Sequence, residues 1–383
     1  MIPAKDHLPY LDGIRGAAIL SVFLFHALGM AYGVEELEWD GLFRNFDAPT
    51  SFLALYPLTY GRMGVAIFFA VSGFCIHMSY QRSRNKSWLC FFNRRFFRIY
   101  PAYLLALLVF FFVWPWGKMQ LQSYDRLYQL VMHVFAIHNF DTKTIWGINA
   151  SFWSIAIEIE LYAIYPLLIL FTRKFGWKNS LLLCLASEIL IRSSGFFFNS
   201  VFETSTPRFL KSSPFAYWFS WAIGAYLADC YLRKAPCFLA KIPFVFAALA
   251  ALAFPLFRPT APYTFAAFAL LTAVAIERLL ADRWKFSSLP LANKVWTHLS
   301  FLGVVSYSFY LIHQPLLSLT KRILLSVQPG FEANGLSLFV ASLLWYPIVL
   351  ILSWGCFKAV EQPSITLGKF VWKTLHSPRS AQS

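Results

Sequence analysis

The chain has 383 residues, of which 58% are hydrophobic and only 13% charged, with a formal net charge of +15. A soluble domain carries roughly twice that charged fraction, and one with 41 Phe residues would expose large apolar patches. That composition excludes an ordinary soluble globule and fits a bilayer, where helices are apolar all round.

In chain order, ten runs approach the roughly 20 apolar residues that a membrane helix needs. They lie at about 11–31, 61–80, 96–116, 151–171, 179–198, 213–232, 242–257, 261–281, 299–319 and 335–357. The seventh is short and flanked by proline. The expected fold is all-α: a polytopic membrane helix bundle of about ten spans, with residues 359–383 as a cytoplasmic tail. The opening residues lack the basic segment, short apolar core and cleavage site of a signal peptide, so the first run is expected to stay as a helix. No stretch is hydrophilic enough to form a second domain. Six scattered cysteines form no C-x-x-C pair, so neither zinc nor a disulfide framework is expected.

Residues 120–147 are ambiguous. Leu127, Leu130, Val131, Val134 and Phe135 make a helical apolar stripe, yet His133, His138, Asn139, Asp141 and Lys143 lie in the same stretch. The expectation is an amphipathic segment on the outer side, at the surface or tucked into the bundle. Charge distribution supports this. Arg82, Arg84, Lys86, Arg94, Arg95 and Arg98 mark the loop between the second and third runs as cytoplasmic. With ten spans, thirteen Lys and Arg fall in later cytoplasmic pieces (among them Arg173, Arg233, Arg283, Lys285 and Arg379). Five fall in the outer loops after the fourth run. The first outer loop is acidic, with Glu35, Glu36, Glu38, Asp40 and Asp47. Most of the positive charge therefore reads as cytoplasmic bias rather than as a nucleic-acid site, and both termini are expected in the cytoplasm.

Ionisable residues inside a membrane are expensive and mark function. Asp12 and Arg15 are three apart and can pair. Arg15 and His26 are eleven apart, three helical turns plus about 20°, so they share a face about 16 Å apart. Counted from the run boundaries at 1.5 Å per residue, His26, Glu158 and His313 all reach a depth of roughly 20 Å from the inner face. Glu160 points about 200° away from Glu158. Ser306, Tyr310 and His313 share one face of the ninth run. Glu188 and Arg192 are spaced as a structural ion pair, and His77 lies near a cytoplasmic end. Gly61, Gly64 and Gly73 permit close approach, by a helix or by a substrate.

Five strings carry a resemblance: YLDGIRGAAILSVFLFH, GRMGVAIFFAVSGFCI, FFNRRFFRIYPAYL, FWSIAIEIELYAIYPLL and SYSFYLIHQPLL. In this order, over about residues 10–320, the chain resembles acyltransferase family 3, membrane proteins that acylate sugars and other hydroxyl acceptors. The Arg15-x10-His26 spacing is that family's hallmark. One departure is Ile159, which separates Glu158 from Glu160 where the family commonly has adjacent acidic residues.

The resemblance implies a membrane-only acyltransferase taking acyl-CoA, most often acetyl-CoA, from the cytoplasm. Arg94, Arg95 and Arg98 would meet its phosphates, because guanidinium forks suit phosphate oxygens, with Arg15 below them. His26 would be the base, or carry the acyl group, with Glu158 as partner by triad logic. Arg62, Tyr310 or His313 would steady the developing oxyanion. The acceptor would be a cell-envelope carbohydrate or a similar hydroxyl compound. The rival class is a transporter, since buried His, Glu and Arg also mark proton relays, although no inverted repeat is visible.

Overall fold

The computed structural model describes residues 8–33, 50–113, 123–202, 205–281, 290–327 and 334–376. The acidic residues of the first outer loop, Arg283, Lys285 and Arg379 lie outside them. Among the described residues there is helix and no strand. The longer α-helices are α1 (Pro9–Tyr32), α2 (Gly64–Gln81), α3 (Trp88–Leu108), α4 (Ser123–Val134), α5 (Phe152–Phe202), α6 (Trp218–Arg233) and α7 (Phe244–Ala253). They continue with α8 (Thr264–Leu280), α9 (Pro290–Val304), α10 (Ser306–Leu317), α11 (Thr320–Val327), α12 (Gly335–Leu343), α13 (Trp345–Cys356) and α14 (Gln362–His376). This is a polytopic all-α membrane bundle.

Six helical stretches among the described residues are long and apolar enough to cross a bilayer, and a seventh if the bent pair α9–α10 is one span. Length and apolarity thus give six or seven candidate spans where ten runs were expected, one of them holding two of those runs. The runs at 151–171 and 179–198 are two limbs of α5, broken at Gly176 (φ 73°, ψ 168°), a backbone state that glycine adopts readily. The runs at 213–232 and 242–257 centre on helices of 16 and 10 residues.

The ninth run is not a straight helix. The path from α9 into α10 turns by 84° at Val305, so a depth for His313 counted along a straight helix from Leu299 does not hold. The Ser306 hydroxyl donates to the Gly303 carbonyl at 2.8 Å, satisfying an acceptor next to the break. Gly303 also lets α9 touch α1, because a Cβ there would lie 1.8 Å from the Asp12 carbonyl oxygen.

The expected alternatives for the glycines resolve as packing. A Cβ on Gly73 would sit 2.0 Å from the Trp221 carbonyl oxygen, and one on Gly224 1.8 Å from that of Ala70. The backbones of α2 and α6 therefore touch, as small residues permit between membrane helices. Gly61 and Gly64 abut α1 in the same way.

Within the 120–147 segment, residues 123–147 pack with their polar side inward. His133, His138, Asn139 and Thr144 have no exposed surface, whereas Leu127, Val131 and Phe135 face outward. Tyr100 and Tyr103 of α3 donate to the Val134 and His133 carbonyls, each at 2.7 Å. The stretch from 359 remains helical to His376 and lies along α3, with Asn93 Nδ2 donating to the Gly368 carbonyl at 3.0 Å.

Candidate functional site

Elements α1, α2, α3, α5 and α10 line a partly open cavity. Arg15, Arg95 and Arg98 line it together with Ser72, Glu158, Tyr162, Ser154 and Tyr310. Arg95 is held by Ser79 Oγ, which accepts from Nη2 at 2.9 Å, and its guanidinium lies over the Phe91 ring. Arg15 pairs with Asp12 at 3.8 Å, as the spacing predicted. Three guanidinium-bearing residues on one cavity give it a cationic wall, the chemistry that suits anionic oxygens.

Glu158 accepts from Ser72 Oγ at 2.8 Å and from Tyr162 OH at 2.5 Å. Its carboxylate is therefore a preformed acceptor on the cavity wall. Glu160 points elsewhere, as the 200° offset requires, and accepts from Asn139 Nδ2 at 2.9 Å.

His26 does meet a side chain from another helix, but that side chain is His313. His26 Nδ1 lies 2.9 Å from His313 Nε2, and His313 Nδ1 lies 2.9 Å from the Tyr310 carbonyl oxygen. A carbonyl only accepts, so His313 carries its proton on Nδ1 and presents a bare Nε2. His26 must then donate from Nδ1, which leaves its own Nε2 with a free lone pair. His313 is wholly buried, while His26 keeps some accessible surface. The expected pairing of His26 with Glu158 gives way to this imidazole pair, since Glu158 is bonded to Ser72 and Tyr162 instead.

Other expected site residues separate. Arg62 sits exposed in the 3-10 turn Tyr56–Met63 and does not line the cavity. Arg94 is not on the cavity wall either. Arg98 lines the cavity, but it also pairs at 3.1 Å with Glu361, a buried carboxylate that Ser308 Oγ contacts too. Tyr310 lines the cavity, and its hydroxyl is 2.7 Å from Ser154 Oγ. Glu188 and Arg192 form the expected ion pair at 3.1 Å, anchored further by Ser220. His77 lies 3.3 Å from Asp229 and outside the cavity lining.

Sequence reasoning missed Ser72, Ser154, Tyr162 and Glu361. Tyr162 was detectable, because it stands one turn after Glu158. Glu361 was not, because a carboxylate beyond the last apolar run reads as part of a solvated tail.

A model of acyltransferase family 3, described as an acyltransferase domain, matches residues 8–358. The chain belongs to that family. Among proteins similar to this family member is the acyltransferase MdmB of Streptomyces mycarofaciens, 28% identical over 178 residues, which are 45% of this chain and 42% of that protein. Nodulation protein 10 of Rhizobium leguminosarum bv. viciae is 28% identical over 199 residues, 48% of this chain and 50% of its own. Peptidoglycan O-acetyltransferase OatA of Listeria monocytogenes is 22% identical over 351 residues, 85% of this chain and 52% of its own. The chain spans about half the length of these curated relatives. No solved structure matches it.

Proposed function

We propose that this protein is a membrane O-acyltransferase that moves an acyl group, in the simplest case acetyl, from acyl-CoA to a hydroxyl of a cell-envelope carbohydrate. The observation that carries this reading is the tautomer chain Tyr310 carbonyl–His313–His26, which leaves His26 Nε2 as a proton acceptor in the membrane interior. Family membership and relatives named as acyltransferases point the same way.

In this reading the donor's phosphates meet Arg15, Arg95 and Arg98, and its acyl-bearing arm extends along the cavity past Glu158. That carboxylate is placed to accept from an amide N–H of the arm. The acceptor hydroxyl attacks the thioester carbonyl while His26 Nε2 takes its proton. The C–O bond forms, the C–S bond breaks, and His26 returns the proton to the leaving thiolate. Of the three expected oxyanion donors, Arg62 is not on the cavity wall, and His313 has its only N–H on the Tyr310 carbonyl. The Tyr310 hydroxyl remains, free to donate when Ser154 donates to it.

The arginines of the cavity belong on the cytoplasmic side, where Lys and Arg concentrate and where CoA esters are available. This orientation sets both termini in the cytoplasm of a bacterial plasma membrane. The test uses protein in lipid vesicles with acetyl-labelled acetyl-CoA and an envelope glycan fraction. The expected result is free CoA together with alkali-labile label on the glycan. An intact thioester with transported solute would establish the transporter reading instead.

A further inference from the structure

A second, more open cavity is lined by Met30, Asn149, Gln314, Lys321 and Leu338 among others. Two helices, α1 and α10, and the stretch running into α5 supply residues to both cavities, each in the same sense. Along α1, Arg15 lines the first cavity and Met30 the second, with His26 between them. Along α10, Tyr310 lines the first and Gln314 the second, with His313 between them. Asn149 and Ala150 line the second cavity, and Ser154 and Glu158 further along α5 line the first. Neither imidazole is on the lining of either cavity; in chain order His26 falls between Arg15 and Met30 and His313 between Tyr310 and Gln314, which places the pair between the two linings. Arg15 and Met30 are fifteen residues apart on one helix, about 22 Å, so the two chambers are well separated along the length of α1.

The second chamber is chemically unlike the first. Among the described residues its lining holds one cation, the exposed Lys321, and no carboxylate. Gln314 Oε1 accepts from Ser151 Oγ, which leaves its amide nitrogen without a hydrogen-bond partner among the described residues and available as a donor. Asn149 is fixed beside it by bonds to the Leu311 carbonyl and the Ser151 amide. Met30 and Leu338 supply apolar surface. Amide donors beside apolar surface suit a polyol, whose hydroxyls alternate with C–H faces. The lysine at the far end suits an acidic group on the same molecule.

We propose that this chamber is the acceptor subsite, and that the acceptor is a polyhydroxylated chain bearing an anionic substituent, carboxylate or phosphate, read by Lys321. The inference rests on the acyltransferase reading, which supplies the donor to the first chamber. The test is steady-state transfer of label from acetyl-CoA to the envelope glycan fraction of cells lacking the gene, by vesicle-embedded wild type, Lys321→Gln and Lys321→Arg. Lys321→Gln is expected to raise the KM for glycan about three- to fivefold, the effect of one exposed ion pair. The KM for acetyl-CoA is expected not to move, and Lys321→Arg to restore the glycan KM. Amidating the carboxylates of the glycan fraction, or stripping its phosphates, identifies the anion as whichever treatment abolishes the difference between wild type and Lys321→Gln. An unchanged glycan KM in Lys321→Gln, or a parallel rise in the acetyl-CoA KM, overturns the subsite. Absence of any transfer by wild type overturns the acyltransferase reading itself.

Discussion

His26 Nδ1 lies 2.9 Å from Nε2 of His313, and the proton order within that pair follows from a single backbone carbonyl. Because Tyr310 oxygen holds the His313 Nδ1 proton, the pair has one direction, and its free lone pair is on His26. Replacing His313 with Leu removes the acceptor that orients His26, and transfer should fall about 100-fold or more, within the range for a misplaced general base. His313→Gln keeps an acceptor oxygen and should retain more activity than His313→Leu. Equal loss in both variants would show that volume rather than hydrogen bonding is what His313 supplies.

Arg95 and Arg94 are neighbours in sequence but separate in role. Arg95 lines the first cavity and Arg94 does not. Arg95→Ala should raise the KM for acetyl-CoA about tenfold or more, the size of one charge-assisted phosphate contact. Arg94→Ala should change it less than twofold. Kinetics of CoA release by each variant in vesicles check this, and a larger effect at Arg94 would contradict the placement of the donor.

The α2–α6 contact depends on the absence of a side chain. A Cβ at Gly224 would fall 1.8 Å from the Ala70 carbonyl oxygen, whereas one at Gly355 meets nothing within 4 Å. Gly224→Val should prevent accumulation of folded protein in the membrane, and Gly355→Ala should leave it unchanged. Size-exclusion recovery from mild detergent reads both.

His133 and His138 stack with ring centroids 3.9 Å apart in the segment between the third and fourth apolar runs. Burial pulls His133 down to about 4, and burial together with His133 holds His138 well below its ordinary value. Both are thus neutral when folded, while an unfolded histidine titrates near 6.5. The unfolded chain binds more protons below that value, so stability present at neutral pH is lost as pH falls from about 6.5 toward 4. The melting temperature in detergent should drop across that window, and His133→Phe with His138→Phe should flatten the drop. A profile that the double variant leaves unaltered would contradict it.

Composition alone sufficed for the membrane bundle, because apolar length is a property of each run by itself. The ion pairs Arg15–Asp12 and Glu188–Arg192 were legible for the same reason, since their geometry is local to one helix. The partner of His26 was not. Counted along straight helices Glu158 and His313 fall at a similar depth, and the 84° turn at Val305, which removes that count for His313, is not written in the apolar pattern. The burial of Glu361 against Arg98 was equally hidden, because it depends on α14 returning along α3. Of the two alternatives left open for the 120–147 segment, a surface helix or one tucked into the bundle, the buried polar side chains His133, His138 and Asn139 show the second, which an apolar stripe alone does not distinguish.

The central claim is that His26 Nε2 accepts the acceptor's hydroxyl proton, and its most direct test is single-turnover transfer by His26→Ala. Wild type and variant, matched for folded protein in vesicles, are mixed with labelled acetyl-CoA and glycan, and ester formation is followed. The account predicts binding of acetyl-CoA within about twofold of wild type and ester formation slowed about 1000-fold or more. Ester formation at the wild-type rate would contradict it.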